Sequence, residues 1–562
     1  NGQCNAFTRD DPGPSETGRG PCLDRNREGL VLDGAHGATI GGLDPADGNT
    51  FGDHIDAILI KGGSHDNHLY NNLVGLAADG TCQPAPDIGV GTLYDGLCRL
   101  YNVRGLALES GHDNVIGAPG AGNIFGVGTL EVTGGQTSGN LIQANFIGLF
   151  ADLVTPVRPG FTAMVQAPLH IGGGATLTTI DDNTLSGLEV VGDGTDDTVI
   201  SNNRIGLLPS GLALPGPDTA FATYWRVWSS GVLVRDGPAR VTLSDNTIAD
   251  TTEACVRVEG LELTVDEVRV ADNVLGLGAD GRGVTSCEGG ALEVRNVDAV
   301  VFEDNLIGHC GSEFSETFSV ACVRLRGGAR GSIVEGNVFG LFRDGRVGPW
   351  AGVAPLANPI VILEDAPASV IRDNTMLGAP PYAIYDRAAF LGNITTPADG
   401  ALITGNRIGL DPDGLHRGAP TDHGILAVGP HAKIGGVLAG QGNHIARAGG
   451  AGVRVGNVSG VTLRGNVLKD NAGLGVSLGG ESPLVNDALD NDGGPNGSQN
   501  HPVVTGFLEA PPRALVALSS IPNRTFTIDV YGVSRPDPSG HGEADLWLGE
   551  ATLSTDPQGQ GS

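Results

Sequence analysis

Carboxylates recur in this chain at one place in a repeated phrase, and stacked carboxylates have the chemistry to hold a cation or to move a proton. Asp182, Asp245, Asp272, Asp304 and Asp373 each stand immediately before an asparagine. Breaking a glycosidic bond takes two carboxyl groups in acid and base or nucleophile roles. On that reading Asp245, Asp272 and Asp304 are the catalytic candidates of a polysaccharide lyase or glycoside hydrolase. A lyase also needs a basic residue at the proton it abstracts, and no Arg or Lys recurs beside all five positions. Aspartate also suits tight turns, which explains the same positions without chemistry.

Two further sets have ligand chemistry. Asp487, Asp490, Asp492 and Asn496 lie in the stretch NDALDNDGGPN. They place hard oxygen ligands on one short loop, as Ca²⁺ requires, although the closing bidentate Glu of an EF-hand is missing. A solvated acidic linker explains the same stretch equally well. His65 and His68, with His54 nearby, have the chemistry of a metal pair and read as ordinary loop histidines.

These residues are carried by a repeat. The phrase runs NLVGLAADG from Asn72, NRIGLLPSG from Asn203, NVLGLGADG from Asn273, NVFGLFRDG from Asn337 and NRIGLDPDG from Asn406. Asn273, Asn305 and Asn337 are spaced by 32 residues, and Asn443 and Asn466 by 23. A unit of this size buries its apolar face only against the next copy, so the chain is expected to be a solenoid. Between the asparagines lie short alternating runs such as VLVRDG, VRVEG, LEVRN and VRLRGG. Their period of two marks strands. Strands repeating at this interval must stack in parallel, with right-handed connections. The expected fold is therefore all-β, a right-handed parallel β-helix. Each asparagine amide is expected to donate to its neighbour in the next coil and accept from the previous one, forming a ladder inside a turn. The residue before it is Asp, Asn or Gly, which fits a left-handed backbone position.

Long insertions begin just after this phrase, at 80–101, 151–166, 209–230, 310–319, 344–358 and 411–422, and so share one side of the coil. They carry Tyr224, Trp225, Trp228 and Trp350 in a chain with only 5% aromatic residues. Such a wall suits binding of sugar rings or a neighbouring protein, while local packing of the loops accounts for any single ring.

The net charge of −31 repels nucleic acid and anionic lipid. No apolar run reaches membrane-spanning length, and the chain opens at Asn1 without the charged start and apolar stretch of a secretion signal, which is expected to have been removed. The ending TDPQGQGS has no obvious cap, as in a piece of a longer precursor. Eight cysteines fall into close pairs, Cys4 with Cys22, Cys82 with Cys98, Cys255 with Cys287 and Cys310 with Cys322. An even count without metal spacing favours disulfides and an oxidising compartment. The first two pairings are the firmer, since the last four cysteines lie on successive coils and admit other connections.

The phrase N-x-I-G-L-x-x-x-G, alternating with AKIGGVLAGQGNHI at 432–445, resembles secreted and surface-attached bacterial proteins with right-handed parallel β-helix repeats, in the pectate-lyase-like superfamily. The resemblance implies an acidic joint, here NDALDNDGGPNGSQNHP, followed by a small β-sandwich. It also implies that stacked carboxylates are able to hold calcium against an acidic polysaccharide. It fixes the fold more firmly than the activity, because that fold hosts lyases, hydrolases, adhesins and inert stalks.

The expected organisation is a disulfide-tied segment at 1–30, the β-helix at 31–480, an acidic linker at 481–502 and a small β-sandwich at 503–562. The expected role is structural or adhesive, as a rigid spacer or a subunit of an extracellular fibre or surface layer. Its partners would be copies of itself, other surface proteins or an extracellular glycan, and Ca²⁺ is the one cofactor the sequence points to. The competing role is the polysaccharide lyase or hydrolase built on Asp245, Asp272 and Asp304.

Overall fold

Each coil is built from three strands of unequal length, because the apolar alternation is longest in one run and reduced to two or three residues in the others. The computed structural model describes residues 26–562 except 53, 77, 79, 81–103, 127, 149–168, 212–229, 262, 282–286, 309, 311–320, 347–358, 379, 388–395, 415–417, 419, 481 and 538. The described residues fall into two compact units, one ending at Val199 and one beginning at Ile200. Among them there are strands and short 3₁₀ turns but no α-helix.

In the first unit, the first sheet takes one strand from each coil, Asn26–Asp33, His54–Lys61, Arg104–Glu109, Thr129–Thr133, Leu169–Gly172 and Leu188–Val191. All of these pair in parallel. A second sheet runs from Thr39–Gly41 to Thr179–Asp181 and a third from Thr50–Phe51 to Thr184–Leu185, likewise parallel. The second unit repeats the plan. Its first sheet begins at Val232–Arg235 and ends at Val476–Leu478, its second ends at Thr462–Arg464 and its third at Val467–Lys469. This is the expected parallel β-helix.

The core consists of columns of like side chains. In the third sheet of the second unit, Ile205, Ile248, Leu275, Ile307, Phe339, Met376, Ile408, Ile445 and Leu468 share one register. All are buried. Each such side chain contributes about 1.5–3 kcal/mol by leaving water, and that gain is available only when the next coil is in place.

The asparagines form the expected ladders. In the second unit Asn203, Asn246, Asn273, Asn305, Asn337, Asn374, Asn406, Asn443 and Asn466 follow one another, each Nδ2 donating to the next Oδ1 at 2.9–3.0 Å. The backbone N–H donates to the same oxygen, as from Asn273 to Asn305 at 2.9 Å. The first unit has the equivalent ladder through Asn49, Asn72, Asn123, Asn145 and Asn183. It also has a second one, through Asn67, Asn114 and Asn140, that the repeat phrase does not announce. The preceding residues are left-handed as expected, with φ of 57° at Asp272 and 52° at Asp304. Ala144 also adopts φ of 55°, so tertiary packing overrides side-chain preference there. The glycine that follows the phrase's apolar residue is required by contact as well as by φ. A Cβ on Gly206 (φ 75°) would stand 1.9 Å from the Ala249 carbonyl oxygen.

The C-terminal residues form two small antiparallel sheets. One pairs Val503–Glu509, Pro512–Ser519 and Gln560–Gly561, the other Thr525–Gly532 and Leu546–Ser554. They dock on the last coil. Leu468 makes an antiparallel bridge with Ala544, Arg464 holds Asp529 at 2.7–2.8 Å and also reaches Glu550, and the Asn471 amide donates to Glu543 at 2.8 Å. An open solenoid end exposes unpaired strand edges, and this segment covers part of one.

Two of the expected disulfides are present, Cys255–Cys287 and Cys310–Cys322. Cys4, Cys22, Cys82 and Cys98 lie outside the described residues.

Candidate functional site

Alternation along the first sheet sends every second side chain outward, and in the second unit the positions from Arg235 to Glu364 are charged apart from Leu233 and Ile362. Arg257 pairs with Glu293 and Glu293 with Arg324 in register, while Arg235, Glu259, Arg295, Arg326 and Glu364 form the neighbouring column. The side chains join across coils. Arg257 reaches Glu253 at 3.0 Å, Glu259 at 2.7 Å and Glu293 at 3.6 Å. Arg326 pairs with Glu293, and Arg324 donates to Glu364 at 2.6 and 2.9 Å, with Arg387 at 3.4 Å on the same carboxylate.

The rail is partly buried, with only 14% of the Glu293 side chain and 18% of that of Arg324 exposed. Burial opposes the charge on Arg257, but Glu259, Glu293 and Glu253 outweigh it and raise its pKa. Arg326 goes the other way. Burial lowers its pKa, and Arg324, Arg295 and Arg257 add to that while Glu293 resists.

The same face continues into aromatic residues. Tyr382 stacks on His423 with ring centroids 5.9 Å apart and lies 5.5 Å from Tyr385. His423 is buried, and its Nδ1 accepts from the Ala451 N–H at 2.9 Å. Its Nε2 faces Asp422 at 3.2 Å and Arg454 at 3.0 Å. Burial, followed by Asp422, raises the pKa of the Tyr382 phenol. This group carries no repeat signal in the sequence. The outward aromatics of the run YAIYD were the available signal, but only the register Tyr382↔His423 joins them to a residue 41 positions away.

The first unit carries a smaller version of the rail. Arg104 holds Asp56 at 2.6 Å, Glu109 at 2.7 Å and Glu131 at 3.2 Å, and His170 meets Glu189 at 2.7 Å.

Asp245, Asp272 and Asp304 do not join this face. They stand exposed in the left-handed position between the second and third sheets, with φ of 52–57°. Burial, Asp272, Glu303 and Glu335, in that order, raise the Asp304 pKa, and Arg269 opposes them. Arg269 is itself ion-paired with Glu303. The column is thus a set of mutually repelling carboxylates supported by the turn.

Asp487, Asp490 and Asp492 do come together, with carboxylate oxygens within 4.8 Å of one another. Asp490 also accepts from Asn500 N–H at 2.9 Å and from the Ser520 hydroxyl at 2.5 Å. Asn496 is directed elsewhere. Its amide pairs with Val461, accepting from N–H and donating to C=O at 3.1 Å each. Tyr224, Trp225, Trp228 and Trp350 lie outside the described residues.

No known family pattern matches the chain, and no curated protein matches it. Among solved structures it is similar to a mutant tailspike protein of E. coli bacteriophage HK620 in complex with a pentasaccharide. That match has 11% identity and a TM-score of 0.27, covering 95% of this chain and 83% of the tailspike. At that level the likeness carries no argument about this chain.

Proposed function

We propose that this chain is a secreted or cell-surface structural and adhesive protein whose β-helix presents the outer face of the first sheet, together with the insertions that carry Trp225 and Trp228, to other surface proteins, to copies of itself or to an extracellular glycan. One observation carries the reading. The rail carboxylates of Glu253, Glu259, Glu293 and Glu364 are each bridged to an arginine. A carboxylate held in this way is tuned for recognition by hydrogen bonding rather than for proton transfer. Tyr382 and Tyr385 add ring faces suited to a sugar. The resemblance of the repeat phrase to β-helical surface proteins, the paired cysteines and the charge of −31 support an extracellular setting.

Ca²⁺ belongs in this proposal at Asp487, Asp490 and Asp492, where it would brace the joint between solenoid and C-terminal sheets. Hard oxygen donors of this kind suit it. Added Ca²⁺ should raise the unfolding temperature of the whole chain, and Asp490→Asn should remove that gain.

The function is tested by incubating the chain with extracellular polysaccharides and with itself, following binding, assembly and sugar release together. Binding or assembly without release is expected. Replacing Trp225 and Trp228 by Ala should leave the β-helix folded and weaken binding or assembly by about 2 kcal/mol if they are anchors. Release of unsaturated or reducing sugars, abolished by Asp272→Ala or Asp304→Ala, would overturn this reading in favour of the enzyme.

A further inference from the structure

Three histidines from successive coils of the first unit stand in one column. His36, His65 and His112 are joined by parallel bridges. The rings of His36 and His65 stack 5.4 Å apart at 12°, and those of His65 and His112 lie 4.8 Å apart at 6°. In the sequence His65 lies nearest to His68. The structure instead gives His68 to the Tyr70 hydroxyl at 2.8 Å and sets His65 between two histidines 29 and 47 residues away.

The triplet His-Asp-Asn, at 65–67 and again at 112–114, produces this arrangement. Asn67 and Asn114 are buried and joined in the short ladder at 2.9 Å, which fixes the register. Asp66 and Asp113 take the left-handed turn, with φ of 54° and 53°. That turn brings each carboxylate back onto the preceding imidazole, Asp66 Oδ2 to His65 Nδ1 at 2.8 Å and Asp113 Oδ2 to His112 Nδ1 at 2.9 Å. An Nδ1 occupied by a carboxylate fixes the tautomer and leaves the Nε2 lone pair for a ligand. Among the described residues neither Nε2 has a hydrogen-bond partner, and the two side chains are 38% and 42% exposed. In His36 the following residue is Gly37, so that ring lacks a carboxylate and is the weaker member.

We propose that His65 and His112, oriented by Asp66 and Asp113, bind a divalent transition-metal ion of imidazole preference such as Cu²⁺, Ni²⁺ or Zn²⁺, with His36 as an auxiliary ring. Two neutral imidazoles backed by carboxylates are the donor set such ions take, and the remaining positions would hold water. The hard ions Ca²⁺ and Mg²⁺ have no reason to choose it. At bonds of about 2.0–2.1 Å, two neighbouring ligating nitrogens stand about 2.9–3.4 Å apart. Rings whose centroids stack at 4.8 Å with nearly parallel planes must therefore rotate about χ1 and χ2 until their Nε2 lone pairs converge, a change of rotamer that side chains exposed at 38% and 42% have room to make.

The test uses the full chain, stripped with a chelator and titrated with Cu²⁺ at neutral pH, read by calorimetry and by electron paramagnetic resonance. Wild type is expected to take one Cu²⁺ in this column with nitrogen hyperfine splitting. His65→Ala and His112→Ala should each lose it by tenfold or more. The double variant Asp66→Asn with Asp113→Asn, which keeps left-handed-tolerant residues, should weaken it by about 10–100-fold while the rings remain. Asp490→Asn should change nothing. Retention of the affinity and nitrogen signature in both histidine variants, or absence of Cu²⁺ binding by wild type, would overturn the proposal. A loss of thermal stability without metal in His65→Ala, with Cu²⁺ binding intact, would assign the stack to edge packing alone.

Discussion

At the scale of single residues, the asparagine ladder couples each coil to the next through buried amides that also donate to backbone carbonyls, as Asn305 Nδ2 does to Val270 at 3.0 Å. Asn305 Oδ1 accepts from both the N–H and the Nδ2 of Asn273, at 2.9 and 3.0 Å. Asn305→Ala therefore strips the buried Asn273 N–H of this acceptor, while the Asn273 Nδ2 keeps the Ala271 and Leu243 carbonyls, and should cost about 1–3 kcal/mol, measurable by denaturant unfolding. A loss under ~0.5 kcal/mol would mean that water enters the turn and replaces the amide. Asp304 tests the opposite sign. Its pKa is raised by burial and by Asp272, Glu303 and Glu335, so the fold favours the protonated form and ionisation at neutral pH opposes folding. Asp304→Asn should raise the unfolding midpoint at pH 7, with the gain fading as pH falls through the carboxylate range. Asparagine also accepts the left-handed turn.

At the scale of elements, a disulfide joins consecutive coils. Cys287 bridges in parallel to both Thr251 and Cys310, so the Cys255–Cys287 bond ties one coil to the next across 32 residues. Closing a loop of that length removes chain entropy worth about 3–4 kcal/mol. The variant Cys255→Ser with Cys287→Ser should unfold at correspondingly lower denaturant under non-reducing conditions. An unchanged midpoint would show that the stacked cores on either side already hold the coils.

For the molecule as a whole, the question is how a solenoid ends. Arg464, Asn471 and Leu468 on the last coil are covered by Asp529, Glu543 and Ala544, and Tyr531 packs into the same junction. Burial, with Asp529 adding, pushes the Tyr531 phenol up to about 12, and the backbone of Gly465 and Asn466 partly offsets this. A folded-state pKa above that of the unfolded chain means that stability is fully present below pH 10. It is then lost as pH rises through about 12. Tyr531→Phe should flatten that decline, as followed by the unfolding temperature between pH 9 and pH 12. A wild-type decline that persists in the variant would place the alkaline transition elsewhere.

The repeat phrase by itself determined the fold class, because each short apolar run has only one way to bury its inner face, against the copy before and after it. It also determined the ladder from Asn203 to Asn466 and the left-handed residue ahead of each rung, since only a few residue types tolerate that backbone. The pairing of Cys255 with Cys287 and of Cys310 with Cys322 was one of several connections the sequence admitted, and coil register selects it. What stands beside what on the outer surface was decided by tertiary structure. Outward residues are under no burial constraint, so the sequence does not reveal that Arg257 will meet Glu293 or that Tyr382 will meet His423. The triplets at 65–67 and 112–114 look like unrelated loop histidines until coil length, set by the buried Asn67 and Asn114, brings their rings to 4.8 Å. Coil register converts distant residues into neighbours, and insertions of unequal length hide that register from any fixed spacing in the chain.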